Sequence, residues 1–117
     1  MEYIKKNQET FIVPTEVDGA EVVWYAFPFI LRENLNFTRT ELQIFFESKD
    51  IQTRPVFAGN IARQPGFKDK NIRIASDLSG ADYVMKHGLV IGCHQGMTDD
   101  HAKWVHDCCD EFLTTKA

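Results

Sequence analysis

The sequence predicts an α+β domain of two layers, a small and mainly antiparallel sheet with helices on one of its faces. Two runs rich in β-branched and aromatic residues, 22–31 and 89–93, read as strands. Three segments carry apolar residues at helical spacing next to residues that start or stop helices. The order is strand, helix, strand, loop, helix, strand, helix, and such elements bury their apolar sides by stacking sheet against helices.

The first strand, Val22 to Leu31, follows the turn signal Asp18-Gly19. It contains Pro28, which cannot donate to a sheet ladder and so should mark an edge position or a bulge. Thr38 and Glu41 stand in the order of a capping box, and Leu42, Phe45, Phe46 and Lys49 follow on a helical repeat, which predicts a helix from Thr38 to Lys49. Residues 51–57 form a second short extended run, with Arg54 held out of helical geometry by Pro55. Ala58-Gly59-Asn60 breaks it, and 61–74, with Pro65-Gly66, is expected to be a loop with one helical turn. A helix from Ser79 to His87 should end at Gly88 ahead of the strand 89–93. Thr98 as cap, Asp99 and Asp100 in the first turn, and Val105, Cys108, Cys109 and Phe112 on one face predict a last helix from Asp99 to about Thr114.

Bulk properties narrow the function. A chain of 117 residues is one domain by length and can bury about two thirds of its unfolded surface. Its 13 basic and 17 acidic side chains give a net charge of −4, which attracts no polyanion at long range, so nucleic acid is not an expected partner. The longest apolar run falls far short of the about 20 residues a membrane helix needs, and no apolar signal region follows the N-terminus, so no membrane partner and a cytoplasmic location are expected. Three cysteines, two of them adjacent, do not make a disulfide framework and read as reduced.

No constellation for catalysis or metal binding stands out. His101 and His106, five apart on a helix, point in different directions, and Cys108 and Cys109 lie on a core face where cysteine behaves as a small hydrophobe. Trp104 reads as a half-buried surface aromatic. Two stretches carry more chemistry. Residues 53–65 gather Arg54, Phe57, Gly59, Asn60, Arg63 and Gln64 at a strand end, and arginine forks with glycine-freed backbone donors suit a phosphate or sugar. An ordinary polar loop with solvated arginines accounts for the same residues. Residues 92–98 present His94 and Gln95 between two glycines, ahead of a helix N-terminus that favours anions; a plain capped turn is the alternative.

The same stretches carry a resemblance. Trp24-Tyr25-Ala26-Phe27-Pro28, Thr53-Arg54-Pro55, residues 57–65, Gly80-Ala81-Asp82 and residues 88–98 resemble, in order and spacing, the C-terminal end of the DegT/StrS-type sugar aminotransferases. The resemblance covers about Phe11 to Phe112, and the Ala-Gly-Asn and Arg-Gln-Pro wording is most similar to the branch that removes the 3-hydroxyl of nucleotide-linked 4-keto-6-deoxyhexoses. It implies the small C-terminal domain of an aspartate-aminotransferase-like, fold type I enzyme, dependent on pyridoxal or pyridoxamine phosphate and acting as an obligate dimer in sugar synthesis for surface polysaccharides. It implies that 1–117 is one domain of a larger enzyme whose large domain holds the cofactor and the catalytic lysine or histidine. No residue here is then catalytic, cofactor-binding or metal-binding. Arg54 and Arg63 would face phosphate or carboxylate oxygens, Asn60 and Gln95 sugar hydroxyls, Phe57 the apolar face of the sugar, and His94 a polar group beside substrate or cofactor. For these to form one half-site, the 57–64 loop and the 94–95 turn must meet on one edge of the sheet. The competing reading is an independent module that binds a small ligand or dimerises without catalysis.

Overall fold

Residues 6–117 are described by the structure, a computed structural model. Their sheet has four antiparallel strands in the order β1-β2-β4-β3, formed by β1 (Phe11–Ile12), β2 (Ala26–Leu31), β3 (Thr53–Pro55) and β4 (Gly88–Gly92). The helices are α1 (Arg39–Ser48), α2 (Ser79–His87) and α3 (Asp99–Lys116). This is the predicted α+β architecture, and the observed helix limits fall within two residues of those expected.

Strand alternation decides where the core lies. Phe29 and Leu31 of β2 and Leu89 and Ile91 of β4 point to one face and are buried against Leu42 and Phe46 of α1 and Cys108, Cys109 and Phe112 of α3. Aromatic edges lock this layer: Phe11 meets Phe29 at 5.4 Å and Phe37 meets Phe112 at 4.9 Å, both edge to face. The two layer helices are also clasped at their ends. Lys116 pairs with Glu41 at 2.7 Å, Lys49 with Glu111 at 2.8 Å, and the Trp104 indole donates to the Lys49 carbonyl at 3.1 Å. Helix α2 sits at the end of the sheet where β2 finishes and β4 begins: Tyr83 donates to the Leu31 carbonyl, and Arg39 Nη1 reaches the carbonyls of Met85 and Gly88.

Three expectations need correction, and one strand is new. The strand begins at Ala26 and not at Val22; the last ladder bond is from Cys93 N–H to the Tyr25 carbonyl, and no strand pairs with Val22 or Val23. Pro28 lies in an inner strand. It is tolerated because its missing donor faces the β1 side, where pairing stops: continuing the ladder past Ile12↔Ile30 would oppose Pro14 to Pro28, two residues with no N–H. The strand β1 itself was not anticipated. Gly88 ends α2 as expected, with φ −80°; glycine is required there by crowding, since a Cβ would lie 2.5 Å from the Val84 carbonyl and 2.9 Å from Val56. The loop after β3 holds two 3-10 turns, Ile61–Arg63 and Pro65–Phe67, in place of one helical turn.

Candidate functional site

The six candidate residues fall into three groups, and the expected single half-site does not form. Because β3 runs antiparallel to β4, Pro55 pairs with Leu89 and Thr53 with Ile91. The loop that leaves β3 therefore lies at the Gly88 end of β4, and the turn that leaves β4 lies at the Gly92 end, about 13 Å away along the strand. Asn60 and His94 are at opposite ends of the sheet.

Arg54 and Phe57 come together in the first group. They line a groove of about 510 Å3 on the sheet face turned away from α1 and α3, with Val22 to Ala26, Pro28, Val56 and Val90. Arg54 stands opposite Val90 in the ladder and donates to the neighbouring Thr53 carbonyl at 3.2 Å. Phe57 takes a left-handed φ of 46° and is 87% exposed, so an apolar ring is held out to solvent by a backbone conformation that costs free energy. Tyr25 at the same groove is 81% exposed, and the Trp24 indole N–H is buried with no acceptor. Such a surface offers a cation and aromatic faces: the chemistry that recognises a planar or sugar-like ligand bearing oxyanions.

Asn60 and Arg63 form the second group, around an aspartate whose role the sequence did not disclose. Asn60 is 2% exposed; its amide nitrogen donates to Asp82 Oδ1 at 2.8 Å and its oxygen accepts from Ala62 N–H at 3.0 Å. Arg63 Nε and Nη2 grip the two oxygens of Asp82 at 3.2 and 3.0 Å. Arg63 and then Asn60 hold the Asp82 carboxyl below its ordinary pKa. In this arrangement the pair fastens the loop to α2. Gly59 beside it has φ 64° and leaves no room for a Cβ, which would sit 2.4 Å from Met85.

His94 and Gln95 form the third group, in the turn between β4 and α3. His94 Nδ1 accepts the Gly96 N–H at 3.1 Å, and Gln95 is exposed. His94 lines a cavity of about 300 Å3 with Asp50, Gln52, Met97, His101 and Trp104 among others. The sequence signal missed here is His101, which occupies the glutamate place of a capping box: its Nδ1 accepts the Thr98 N–H at 3.0 Å.

Whether the chain fits an aldehyde cofactor is a question of lysines. Lys49, Lys103 and Lys116 are committed to ion pairs, Asp107 raises the Lys103 pKa, and Lys6, Lys68, Lys70 and Lys86 are exposed. None lines any of the grooves above, so the described residues do not fit an imine-forming site. Among the described residues no group of three His, Cys, Asp or Glu side chains could hold a metal, and no helix is long and apolar enough to cross a membrane. Cys93, Cys108 and Cys109 form no disulfide among the described residues; burial raises the Cys108 pKa.

The fold is a small α+β domain with an open groove on one face of its sheet. The chain belongs to the DegT/DnrJ/EryC1/StrS aminotransferase family, whose model matches residues 2–110. It is 33% identical over 101 residues to the lipopolysaccharide biosynthesis protein RfbH of Salmonella typhimurium, covering 86% of this chain and 23% of that protein. It is 34% identical over 94 residues to a GDP-4-keto-6-deoxy-D-mannose 3-dehydratase of Yersinia pseudotuberculosis, covering 80% of this chain and 22% of that one. The E. coli GDP-4-keto-6-deoxy-D-mannose-3-dehydratase, solved with bound hydrated PLP, shares the fold with a TM-score of 0.77 at 24% identity, over 92% of this chain and 28% of that chain. The chain thus spans about a quarter of the length of the curated relatives it matches.

Proposed function

We propose that this chain is the substrate-binding C-terminal domain of a nucleotide-sugar 3-dehydratase or aminotransferase that makes deoxy or amino sugars for surface polysaccharides. It binds substrate and completes the enclosure of the active site; a separate large domain holds the pyridoxal or pyridoxamine phosphate and the group that moves protons on it. The observation that carries this reading is the outer-face groove, where Arg54 stands beside exposed Phe57 and Tyr25. Arg54 takes a phosphate oxygen of the nucleotide sugar, and Phe57 covers the apolar face of the sugar. Asn60 and Arg63, tied to Asp82, set the position of the loop that presents Phe57. His94 and Gln95 contact ligand from the far end of the sheet, in a closed assembly containing a second subunit.

The test is steady-state kinetics on an enzyme that joins this domain to a family large domain, using CDP-, GDP- and dTDP-linked 4-keto-6-deoxyhexoses. Arg54→Ala should lower kcat/KM by about ten- to a thousandfold, the loss expected for one or two charge-assisted contacts. Wild-type kinetics in Arg54→Ala and Phe57→Ala alike would remove the groove from the substrate site.

A further inference from the structure

The turn joining β4 to α3 is held by two imidazoles used in the same unusual way. His94 Nδ1 accepts the Gly96 N–H at 3.1 Å, and His101 Nδ1 accepts the Thr98 N–H at 3.0 Å and lies 2.9 Å from the Thr98 hydroxyl. A backbone N–H only donates, so both Nδ1 atoms carry a lone pair, and each neutral ring carries its proton on Nε2. At the third position of a helix a capping box ordinarily has glutamate or glutamine, which remains an acceptor from neutral to mildly acidic pH. Histidine is different: over the range where imidazoles gain a proton, Nδ1 changes from acceptor to donor.

From this geometry we infer that the β4–α3 turn is a two-histidine, pH-sensitive clasp, closed when both rings are neutral and released when they are protonated. Three effects act together on acidification. The Gly96 N–H loses its acceptor, the Thr98 N–H faces an N–H in place of a lone pair, and two cations appear on the walls of one cavity of about 300 Å3. The charged groups nearby are Asp50 from the turn after α1 and Asp99 and Asp100 in the first turn of α3; Lys103 is paired with Asp107, and Lys49, whose carbonyl holds Trp104, is paired with Glu111. Gln52 and Trp104, the other polar neighbours in the cavity wall, carry no charge. The turn also holds Met97, whose N–H donates to the His94 carbonyl and which lines both this cavity and a second, apolar one bounded by Phe29, Phe46 and Val105. The inference does not rest on the function proposed above.

A global melting temperature would not isolate the effect, because His87 and His106 also have pKa values lowered chiefly by burial and lose stability on acidification for a separate reason. The test is therefore local: two-dimensional amide NMR of the intact chain from about pH 8 to pH 5, with the histidine ring signals followed in the same samples. The Gly96 and Thr98 amide signals should move with the midpoints of His94 and His101 respectively, and exchange of the Thr98 amide, corrected for intrinsic pH dependence, should quicken by about two- to thirtyfold, the range for losing a helix cap. In His101→Glu the Thr98 response should vanish while the Gly96 response persists; His101→Gln, a neutral acceptor, should behave the same way. In His94→Asn the Gly96 response should be lost instead. Amides that stay still while the rings titrate, or a Thr98 response that survives in His101→Glu and His101→Gln, would overturn the inference.

Discussion

The two faces of the sheet are made by alternate residues of the same strands, and they are finished to different degrees. On the inner face Phe29, Leu31, Leu89 and Ile91 are all at most 9% exposed beneath α1 and α3. On the outer face Ala26, Pro28 and Val90 are as apolar, yet they floor an open groove rimmed by exposed Tyr25, Phe57 and Val23. An apolar face of this kind normally marks an interaction site. The inner face is what makes the domain fold, and on the function proposed above the outer face is what the domain brings to other molecules.

Substitutions should separate the faces by stability. Leu89→Ala, which removes a fully buried side chain, is expected to cost about 2–5 kcal/mol by chemical denaturation. Its neighbour in the strand, on the other face, gives the contrast: Val90→Ala should cost less than about 1 kcal/mol in the isolated chain, because a half-buried site on an open groove loses less transfer free energy. Equal losses at the two positions would dissolve the distinction between the faces.

Gly59→Ala comes next in size. It places a methyl group against Met85 at a positive φ, and a loss of about 1–3 kcal/mol with displacement of the 57–63 loop is expected by denaturation and amide NMR. Phe57 gives the sharpest divergence between stability and function. Phe57→Asn should be neutral or slightly stabilising, since asparagine tolerates a left-handed φ, and should weaken sugar-nucleotide turnover in the complete enzyme. If Phe57→Asn instead destabilises the domain, the ring is part of the fold and not of the site.

The smallest effect belongs to the helix clasp. Lys116, and then the Thr38 backbone and hydroxyl, hold the Glu41 carboxyl down at about 2. A carboxyl bound more tightly as the anion in the folded state adds stability above its unfolded pKa, and that increment disappears as pH falls from there toward about 2. Glu41→Gln should flatten this part of the pH–stability curve and leave the curve above it unchanged in shape. For Glu41, on the surface of the domain, the change should be slight.

Much of the inner face was legible because it is built from local signals. The Thr38 and Thr98 caps, the helical spacing of Leu42 and Phe46, and that of Cys108 and Phe112 each lie within a few residues of what they determine. The outer face was legible as composition but not as geometry. The run from Val22 to Tyr25 looks like strand because it is apolar, and only the absence of a pairing strand shows that it is groove wall. The partnership of Asn60 and Arg63 with Asp82 spans 22 and 19 residues, which no local period encodes. The separation of His94 from the 57–64 loop follows from antiparallel pairing of β3 with β4, and a list of elements in order does not contain it.

The most direct measurement of the contrast between the faces is oxidative footprinting of this domain, alone and joined to a large domain of the family. Tyr25 and Phe57 on the outer face should react readily in the isolated domain and lose most of that reactivity on joining, while Trp104, half exposed on the helical side, should react equally in both. Continued reactivity of Tyr25 and Phe57 in the joined protein would contradict the assignment of the outer face as the surface this domain turns to its ligand and partners.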